Sequence, residues 1–585
     1  MQAEFAAGKW SFDETEGLGD PGRTSLYEYS GTGNTEPTLV GVVGQRGSRE
    51  LIGKCGTVMG AGSIGSSFNA LSSDGETVFF TVKACSPGPA TAEVYARKHG
   101  AVNASGPAET VDVSESECTT GCGPESGKNF EGASEDGHFA YFTSTQKLTD
   151  EAVDGTASGD ANSENGCAEV SEKVAGPPEG SGCNLYLYDF SKTVGSRLKV
   201  VSQAGEVMGV ARIAEDGSRV YYVSRVAIES AGANVYGALP EEGQPNMYVY
   251  DAKTEKTVFV ATLGLADKED WLRPFTRSVQ ITGPGGRFLV FASSKPGLTT
   301  LADDTSTKVQ LFEYRAPGEG EGGKDGEAAE LVRITKGEDG FNEDGNAVSI
   351  GQSSVLELGN RSVIYGSEVN FHITSSRLNI SADGHVVAFT SAGRLSVRAT
   401  SPLAATLFPS KSLYEFRTAG ALSEGSVHLV SDGQDTYSYK GQFGVQFQGI
   451  DATGDNVLFR TGDPLLASDL DGGQFDTYDA RVEGGFAPVS QGASCEAGDC
   501  EAPFGPPPAL ALPGSTALSG TGNLAPLPAV VVRGGKPSPR SARAVKLAKA
   551  LRACRRGSVR HRRSCEAQAR RRYKSRTARR GGRNA

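Results

Sequence analysis

The stretch Ile380-Ser381-Ala382-Asp383-Gly384-His385-Val386-Val387-Ala388-Phe389-Thr390-Ser391 joins an Asp-Gly pair to an apolar run that ends on small hydroxyl residues. Asp-Gly favours a tight turn, because glycine adopts a positive φ without steric cost. The run 386–389 is apolar on both faces, which is typical of a strand buried between two neighbouring sheets. The stretch therefore predicts a hairpin turn followed by a buried β-strand.

Copies of this turn-strand unit recur through most of the chain. The other five copies occupy residues 71–81, 133–144, 213–224, 281–293 and 450–460. A second short strand with the pattern apolar-Tyr-x-Tyr or a close variant also recurs. It occurs at residues 26–29, 94–95, 185–188, 247–250, 311–314, 413–416 and 477–479. The chain is therefore an internal repeat rather than a single irregular domain.

Each repeat provides four short strands. A third strand such as 198–202 closes most units, and the apolar segment ahead of each turn, such as 208–211, provides another. Four antiparallel strands repeated about seven times predict an all-β fold, a β-propeller of seven four-stranded blades. A β-sandwich is the main alternative, but a sandwich needs no internal repeat. Seven Tyr-x-Tyr strands against six turn-strand units predict an incomplete first blade, completed by residues 1–12 or 530–532, or a chain truncated at its start.

The repeat motifs resemble those of a known family. A Ser-x-Asp-Gly turn followed by an apolar strand ending in Phe-x-Ser, as in residues 381–391, resembles the TolB-type, WD-repeat-like propellers. The resemblance covers roughly residues 70–490. It implies the propeller fold, and it implies no single function, because such propellers serve as scaffolds, lids and envelope proteins.

Charge and composition divide the chain into three predicted parts. Residues 1–490 form the propeller, residues 491–540 form a linker rich in Pro, Gly and Ala, and residues 541–585 form a basic tail, either a helical hairpin or disordered. Residues 533–585 carry 20 Lys and Arg against one acid, whereas the remaining residues carry 38 against 69. The tail resembles the basic two-cysteine extensions of secreted actinobacterial propeller proteins.

The ten cysteines lie in close pairs. The pairs are Cys55/Cys85, Cys118/Cys122, Cys167/Cys183, Cys495/Cys500 and Cys554/Cys565. This arrangement predicts disulfides formed in an oxidising compartment. Zinc is the alternative for Cys118/Cys122 and Cys495/Cys500, although no histidine is near either pair. We therefore expect an extracellular or cell-envelope protein, although the chain shows no signal peptide and no apolar stretch long enough to span a membrane.

Few residues indicate chemistry. The chain has no Gly-x-Ser-x-Gly, phosphate-loop or His-Glu-x-x-His motif. His138 and His385 directly follow Asp-Gly pairs and are expected to be turn residues. Asp469, Asp471 and Asp476 surround two glycines and form a candidate calcium loop, with an acidic surface loop as the alternative. No other cofactor is predicted.

These features predict a non-enzymatic, monomeric scaffold or binding protein, because propellers present loops on a rigid ring. The blade loops would hold a protein or glycan partner, and the tail would bind an anionic envelope polymer. Sequence-specific nucleic-acid recognition is not expected, because Tyr573 is the only aromatic residue of the tail. The alternative function is an extracellular carbohydrate-active enzyme, a lyase or hydrolase whose loop carboxylates line the channel.

Overall fold

The computed structural model describes the chain in segments. They are residues 25–28, 38–53, 56–61, 68–82, 92–101, 104–153, 183–202, 205–265, 267, 271, 279–299, 304, 309–318, 328–342, 356–357, 379–391, 393–399, 411–434, 438–439, 442–470, 473–482 and 484–485. The chain divides into two compact units, Met1–Pro488 and Val489–Ala585, and every described residue belongs to the first. The predicted linker and tail lie outside the described residues, so the three-part division stays a prediction.

The described residues form six antiparallel sheets, which we call blades 1 to 6. Blade 1 contains β3 (Thr57–Met59), β4 (Thr77–Val82), β5 (Glu93–Lys98) and β6 (Glu109–Asp112). Blade 2 contains β7 (Lys128–Ala133), β8 (Phe139–Ser144), β9 (Asn184–Asp189) and β10 (Leu198–Val200). Blade 3 contains β11 (Val207–Ile213), β12 (Arg219–Ser224), β13 (Asn246–Asp251) and β14 (Lys256–Thr262).

The later blades follow the same order. Blade 4 contains β15 (Gln280–Thr282), β16 (Phe288–Ser293), β17 (Gln310–Arg315) and β18 (Glu330–Arg333). Blade 5 contains β19 (Leu356–Glu357), β20 (Val386–Ser391), β21 (Ser412–Arg417) and β22 (Ser426–Leu429). Blade 6 contains β25 (Gln446–Ile450), β26 (Asn456–Thr461) and β27 (Asp476–Arg481).

Two strand pairs and four short helices complete the described structure. The pairs are β1 (Tyr27–Glu28) with β2 (Thr38–Leu39), and β23 (Ser438–Tyr439) with β24 (Gln442–Phe443). The 3₁₀ helices are Glu229–Ala231, Pro284–Gly286, Glu338–Gly340 and Leu422–Glu424. No described helix is long and apolar enough to cross a membrane.

Successive blades pack face to face, and this packing makes the fold a β-propeller. On β12, Val220 and Tyr222 belong to an apolar cluster shared with blade 2, whereas Tyr221 and Val223 belong to a cluster shared with blade 4. Equivalent clusters join blade 1 to blade 2, blade 4 to blade 5 and blade 5 to blade 6. Because alternate residues of a strand point to opposite faces, a strand between two sheets must be apolar throughout. The all-β propeller prediction is confirmed.

The recurring turn closes through its serine rather than as a two-residue hairpin. In blade 5, the Ser381 hydroxyl donates to the Asp383 carboxylate (2.6 Å) and accepts from the backbone N–H groups of His385 and Val386 (3.1 and 3.0 Å). Only Gly384 takes a positive φ, of 73°. Ser134 and Asp136 make the same contacts in blade 2. Ser72 and Asp74 make similar contacts in blade 1. The Ser-x-Asp-Gly motif is therefore a structural element of blades 1, 2 and 5.

The tyrosines of the second motif anchor loops. The Tyr248 hydroxyl donates to the carbonyl of Val226 (2.7 Å) and accepts from the N–H of Ile228 (3.0 Å). Tyr186 makes the equivalent pair of contacts in blade 2, and Tyr414 makes them in blade 5. Each hydroxyl thereby fixes the loop between the second and third strands, so this motif is also structural.

The first copy of the Tyr-x-Tyr motif forms only a strand pair in the described residues. Tyr27 and Glu28 of β1 pair with Leu39 and Thr38 of β2. Leu26 and Val40 beside this pair pack with β4 of blade 1. The residues predicted to complete this blade, 1–12 or 530–532, lie outside the described residues, and the count of seven blades stays a prediction.

Candidate functional site

The connections between strands at the two ends of the propeller differ in how regularly they recur from blade to blade. In blades 2, 3, 4 and 6 the first and second strands are joined at one end, the turn end, by residues 134–138, 214–218, 283–287 and 451–455. At the opposite end, the loop end, each second strand is joined to the third and each blade to the next. Connections between second and third strands at the loop end are residues 83–92, 145–183, 225–245, 294–309, 392–411 and 462–475. In these four blades the turn-end connections between first and second strands have five residues each, whereas the loop-end connections above have 10 to 39 residues.

A disulfide and a carboxylate brace one loop at the loop end. Cys118 and Cys122 are disulfide-bonded in the connection from β6 to β7. Between them, Thr119 donates to the Asp150 carboxylate from its backbone N–H (2.8 Å) and its hydroxyl (2.6 Å), and the N–H of Thr120 donates as well (2.9 Å). These hydrogen bonds hold the pKa of Asp150 below its ordinary value. The loop is thus fixed to the β8–β9 connection of blade 2.

Several large apolar side chains are exposed at the loop end. Leu239 is 67% exposed and Leu470 is 81% exposed, although soluble surfaces normally scatter such residues singly. The exposed apolar residues of the loop end are Val153, Val235, Leu239, Leu265, Val397, Leu466 and Leu470. They come from five different loops, so the described part of the loop end offers repeated apolar contact points.

A group of titratable side chains lies in the seam between blades 1 and 2. The ammonium of Lys128 lies 2.7 Å from Glu93 Oε1, and the Ser114 hydroxyl lies 2.9 Å from Glu93 Oε2 and 3.0 Å from Asp112 Oδ1. Burial raises the pKa of Asp112 above its ordinary value, although Ser114 donates to it. Burial and the neighbouring Asp112 also raise the pKa of Tyr95.

This group is an internal ion-pair network rather than a reaction centre. Lys128 is only 6% exposed and Ser114 only 1%, so neither presents a reactive atom to solvent. Ser114 also accepts the N–H of Val94, and Ser202 and Ser431 accept from the equivalent strands of blades 2 and 5. The network therefore joins two blades, and its lysine is compensated by carboxylates as a buried charge must be.

The described histidines do not converge on one another. His99, His138 and His385 lie at the turn end, where each pairs with an acid of its own blade, Glu76, Asp136 and Asp383 respectively. His428 lies 2.9 Å from the hydroxyl of Ser426, and both residues lie on the exposed face of β22. His372 and His561 lie outside the described residues. A carbohydrate-active enzyme stays a prediction without support from these histidines.

The predicted calcium loop is described only in part. The Tyr478 hydroxyl donates to the Asp469 carboxylate, and burial together with Asp469 raises the pKa of Tyr478 to about 12. Asp476 is the first residue of β27, and Asp471 lies outside the described residues. Within the described segments, no three acidic, histidine or cysteine side chains are grouped to hold a metal. Calcium binding stays a prediction.

The structure describes three of the ten cysteines, Cys118, Cys122 and Cys183. The pair Cys118/Cys122 is bonded as predicted, and Cys183 is also disulfide-bonded. Its predicted partner, Cys167, lies outside the described residues. So do Cys55, Cys85, Cys495, Cys500, Cys554 and Cys565.

Sequence reasoning missed Asp150 and Glu313. Asp150 lies far in sequence from the loop that it braces, and no local pattern marks it. Glu313 did carry a signal, because it occupies the middle of a Tyr-x-Tyr strand where Leu187 and Val249 stand in blades 2 and 3. Comparing the repeats position by position would have identified a carboxylate at a buried apolar position.

Comparison with solved structures finds similar folds at low sequence identity. No family model matches the chain, and no curated protein sequence is significantly similar to it. TolB from Acinetobacter baumannii is 13% identical over 66% of this chain and 60% of its own, with a TM-score of 0.23. The propeller domain of the Trilobed protease from Pyrococcus furiosus is 10% identical over 69% and 78%, with a TM-score of 0.27.

An enzyme also appears among the similar structures. The acylaminoacyl peptidase of Pyrococcus horikoshii is 10% identical over 66% of this chain and 41% of its own, with a TM-score of 0.25. The match thus spans less than two thirds of TolB and less than half of the peptidase. Similarity at this level does not bear on what this chain does.

Proposed function

We propose that this chain is a non-enzymatic binding or scaffold protein that holds a protein partner at its loop end. The observation that carries the proposal is the set of exposed apolar side chains there, including Leu239, Leu466 and Leu470. Exposed apolar groups on a rigid frame favour association with another protein, because burying them removes apolar surface from water at little entropic cost. A glycan partner would instead call for exposed aromatic and polar residues.

The disulfides support a place in the cell envelope or outside the cell. Cys118–Cys122 and the bonded Cys183 would persist only in an oxidising compartment. The basic tail would then bind an anionic envelope polymer. The envelope location and the polymer partner are part of the proposal, and neither is inferred from the similar structures.

The test compares exposed apolar residues at the two ends. Leu239→Ser and Leu466→Ser alter the loop end, and Val194→Ser is the control, because Val194 is 83% exposed in the β9–β10 connection at the turn end. Exposed substitutions of this kind change stability by about 0.5 kcal/mol or less. Each variant is expressed in the native source and cross-linked, and its partner is quantified by mass spectrometry.

We expect partner recovery to fall about tenfold for a loop-end variant, because losing about 1.4 kcal/mol of apolar burial weakens an equilibrium constant tenfold. The Val194→Ser control should recover the partner at the wild-type level. Equal recovery from all three variants would contradict a partner site at the loop end.

A further inference from the structure

Glu313 is a carboxylate buried between two blades. It lies on β17, paired in register with Val290 on β16 and Val332 on β18, so the three side chains share one face of blade 4. Val290 and Val332 belong to the apolar cluster that blade 4 shares with Val387 and other residues of blade 5. Glu313 is 0% exposed and therefore lies inside the seam between blades 4 and 5.

Neither oxygen of this carboxylate has a hydrogen-bond partner among the described residues. The same repeat position holds Leu187 in blade 2 and Val249 in blade 3, which suit an apolar seam. In blade 5 it holds Glu415, which lies 3.4 Å from the guanidinium of Arg417 and is half-buried. In contrast to these residues, Glu313 carries a carboxyl group that is fully buried and has no hydrogen-bond partner among the described residues.

The charged groups that face Glu313 compensate it only in part. On its own strand, Arg315 is ion-paired with Glu330 of β18 (3.0 Å), and Glu330 also accepts the N–H of Leu422 beside β22 (2.8 Å). From blade 5, the turn that leads into β20 presents the acid Asp383, which is paired with His385. Glu330 and Asp383 are therefore paired with other residues. Each of these two carboxylates repels an ionised Glu313.

We propose that Glu313 is a proton-dependent switch in the seam between blades 4 and 5, which is closed when the carboxyl is neutral and loosened when it ionises. An ionised carboxylate without a partner is several kcal/mol too costly for an apolar interior, so ionisation requires water to enter the seam. The proposal is independent of what binds at the loop end.

The direction of the pH effect follows from burial. Burial raises the pKa of Glu313 well above its ordinary value, although Arg315 lowers it in part. The closed seam therefore holds a proton that the open seam releases, and closure weakens as pH rises above about 4.5. Below that pH both states are protonated, and the effect disappears.

The experiment measures hydrogen exchange in the full chain between pH 5 and pH 9, corrected for the intrinsic exchange rate. In the wild type, protection of amides in β17 and β20 should fall by up to about tenfold per pH unit, the limit for release of one proton. In Glu313→Leu, which places the residue of blade 2 at this position, that fall should vanish. Glu415→Leu is the matched control and should keep the wild-type dependence.

Two results would overturn the proposal. One is wild-type protection of β17 and β20 that does not change with pH. The other is a pH dependence in Glu313→Leu equal to that of the wild type. Should Glu313→Leu fail to fold, Glu313→Gln serves the same purpose, because its side chain is neutral throughout the range and close to the original in volume.

Discussion

At the scale of single residues, the turn glycines meet two separate requirements. Gly384 has a φ of 73°, and a Cβ at this position would overlap the ring of Phe288 in blade 4. Gly217 and Gly454 also approach the preceding blade closely. The Asp-Gly pair thus serves the contact between blades as well as the turn, which explains why glycine recurs at this point of the repeat.

Gly384→Ala should destabilise the protein more than an alanine at an open glycine. The control is Gly195→Ala, because Gly195 also has a positive φ, of 84°, but no atom lies within 4 Å of a Cβ there. A left-handed conformation costs alanine about 1–2 kcal/mol, and overpacking adds about 1–3 kcal/mol. Denaturant unfolding measures both variants, and equal losses would show that blade contact at Gly384 adds nothing.

At the scale of secondary-structure elements, a tyrosine of the third strand in blades 2, 3 and 5 holds the loop that precedes the strand. Tyr248 on β13 does so through a hydroxyl with a donor and an acceptor partner. Tyr314 on β17 is equally buried, but its hydroxyl has no partner among the described residues. Two tyrosines of the same motif therefore differ in whether the hydroxyl stabilises the blade.

Tyr248→Phe should cost about 1–3 kcal/mol, because it leaves the N–H of Ile228 and the carbonyl of Val226 buried without a partner. Tyr314→Phe should be neutral or stabilising, because it removes an unpaired buried hydroxyl. Thermal unfolding of the two variants under one set of conditions distinguishes them. A larger loss for Tyr314→Phe would contradict the role assigned to these hydroxyls.

At the scale of the whole molecule, charge is separated along the chain. Residues 533–585 have a net charge of +19, and the rest of the chain has −31. A strongly basic segment attracts anionic partners, whereas a strongly acidic one repels them. The proposed anionic polymer concerns only the basic part.

Replacing Arg570, Arg571 and Arg572 by Gln should weaken co-sedimentation with an anionic cell-wall polymer. At about 1 kcal/mol for each cation near an anionic surface, losing three cations weakens binding by about two orders of magnitude at low salt. The matched control replaces the exposed Lys192, Lys253 and Lys256 by Gln and should bind normally. Binding that is lost equally in both variants, or that does not respond to salt, would exclude a specific role of the tail.

The fold could be predicted from the sequence because its signals are local and repeated. The Asp-Gly turn at 383–384, the apolar strand at 386–389 and the Tyr-x-Tyr strand at 413–416 each require only a few adjacent residues, and six copies confirm one another. The predicted strands at 94–95 and 477–479 also lie within β5 and β27. Short-range conformational preference and side-chain alternation suffice for this level of description.

The candidate site depended on the tertiary structure. The sequence alone determined a repeated all-β propeller, paired cysteines and a separation of charge. Only the packing of blades placed Asp150 beneath Thr119, Lys128 against Glu93, and Glu313 in an apolar seam without a partner. These contacts join residues whose separation in sequence carries no pattern, since blade-to-blade packing decides which side chains meet and which lose contact with water.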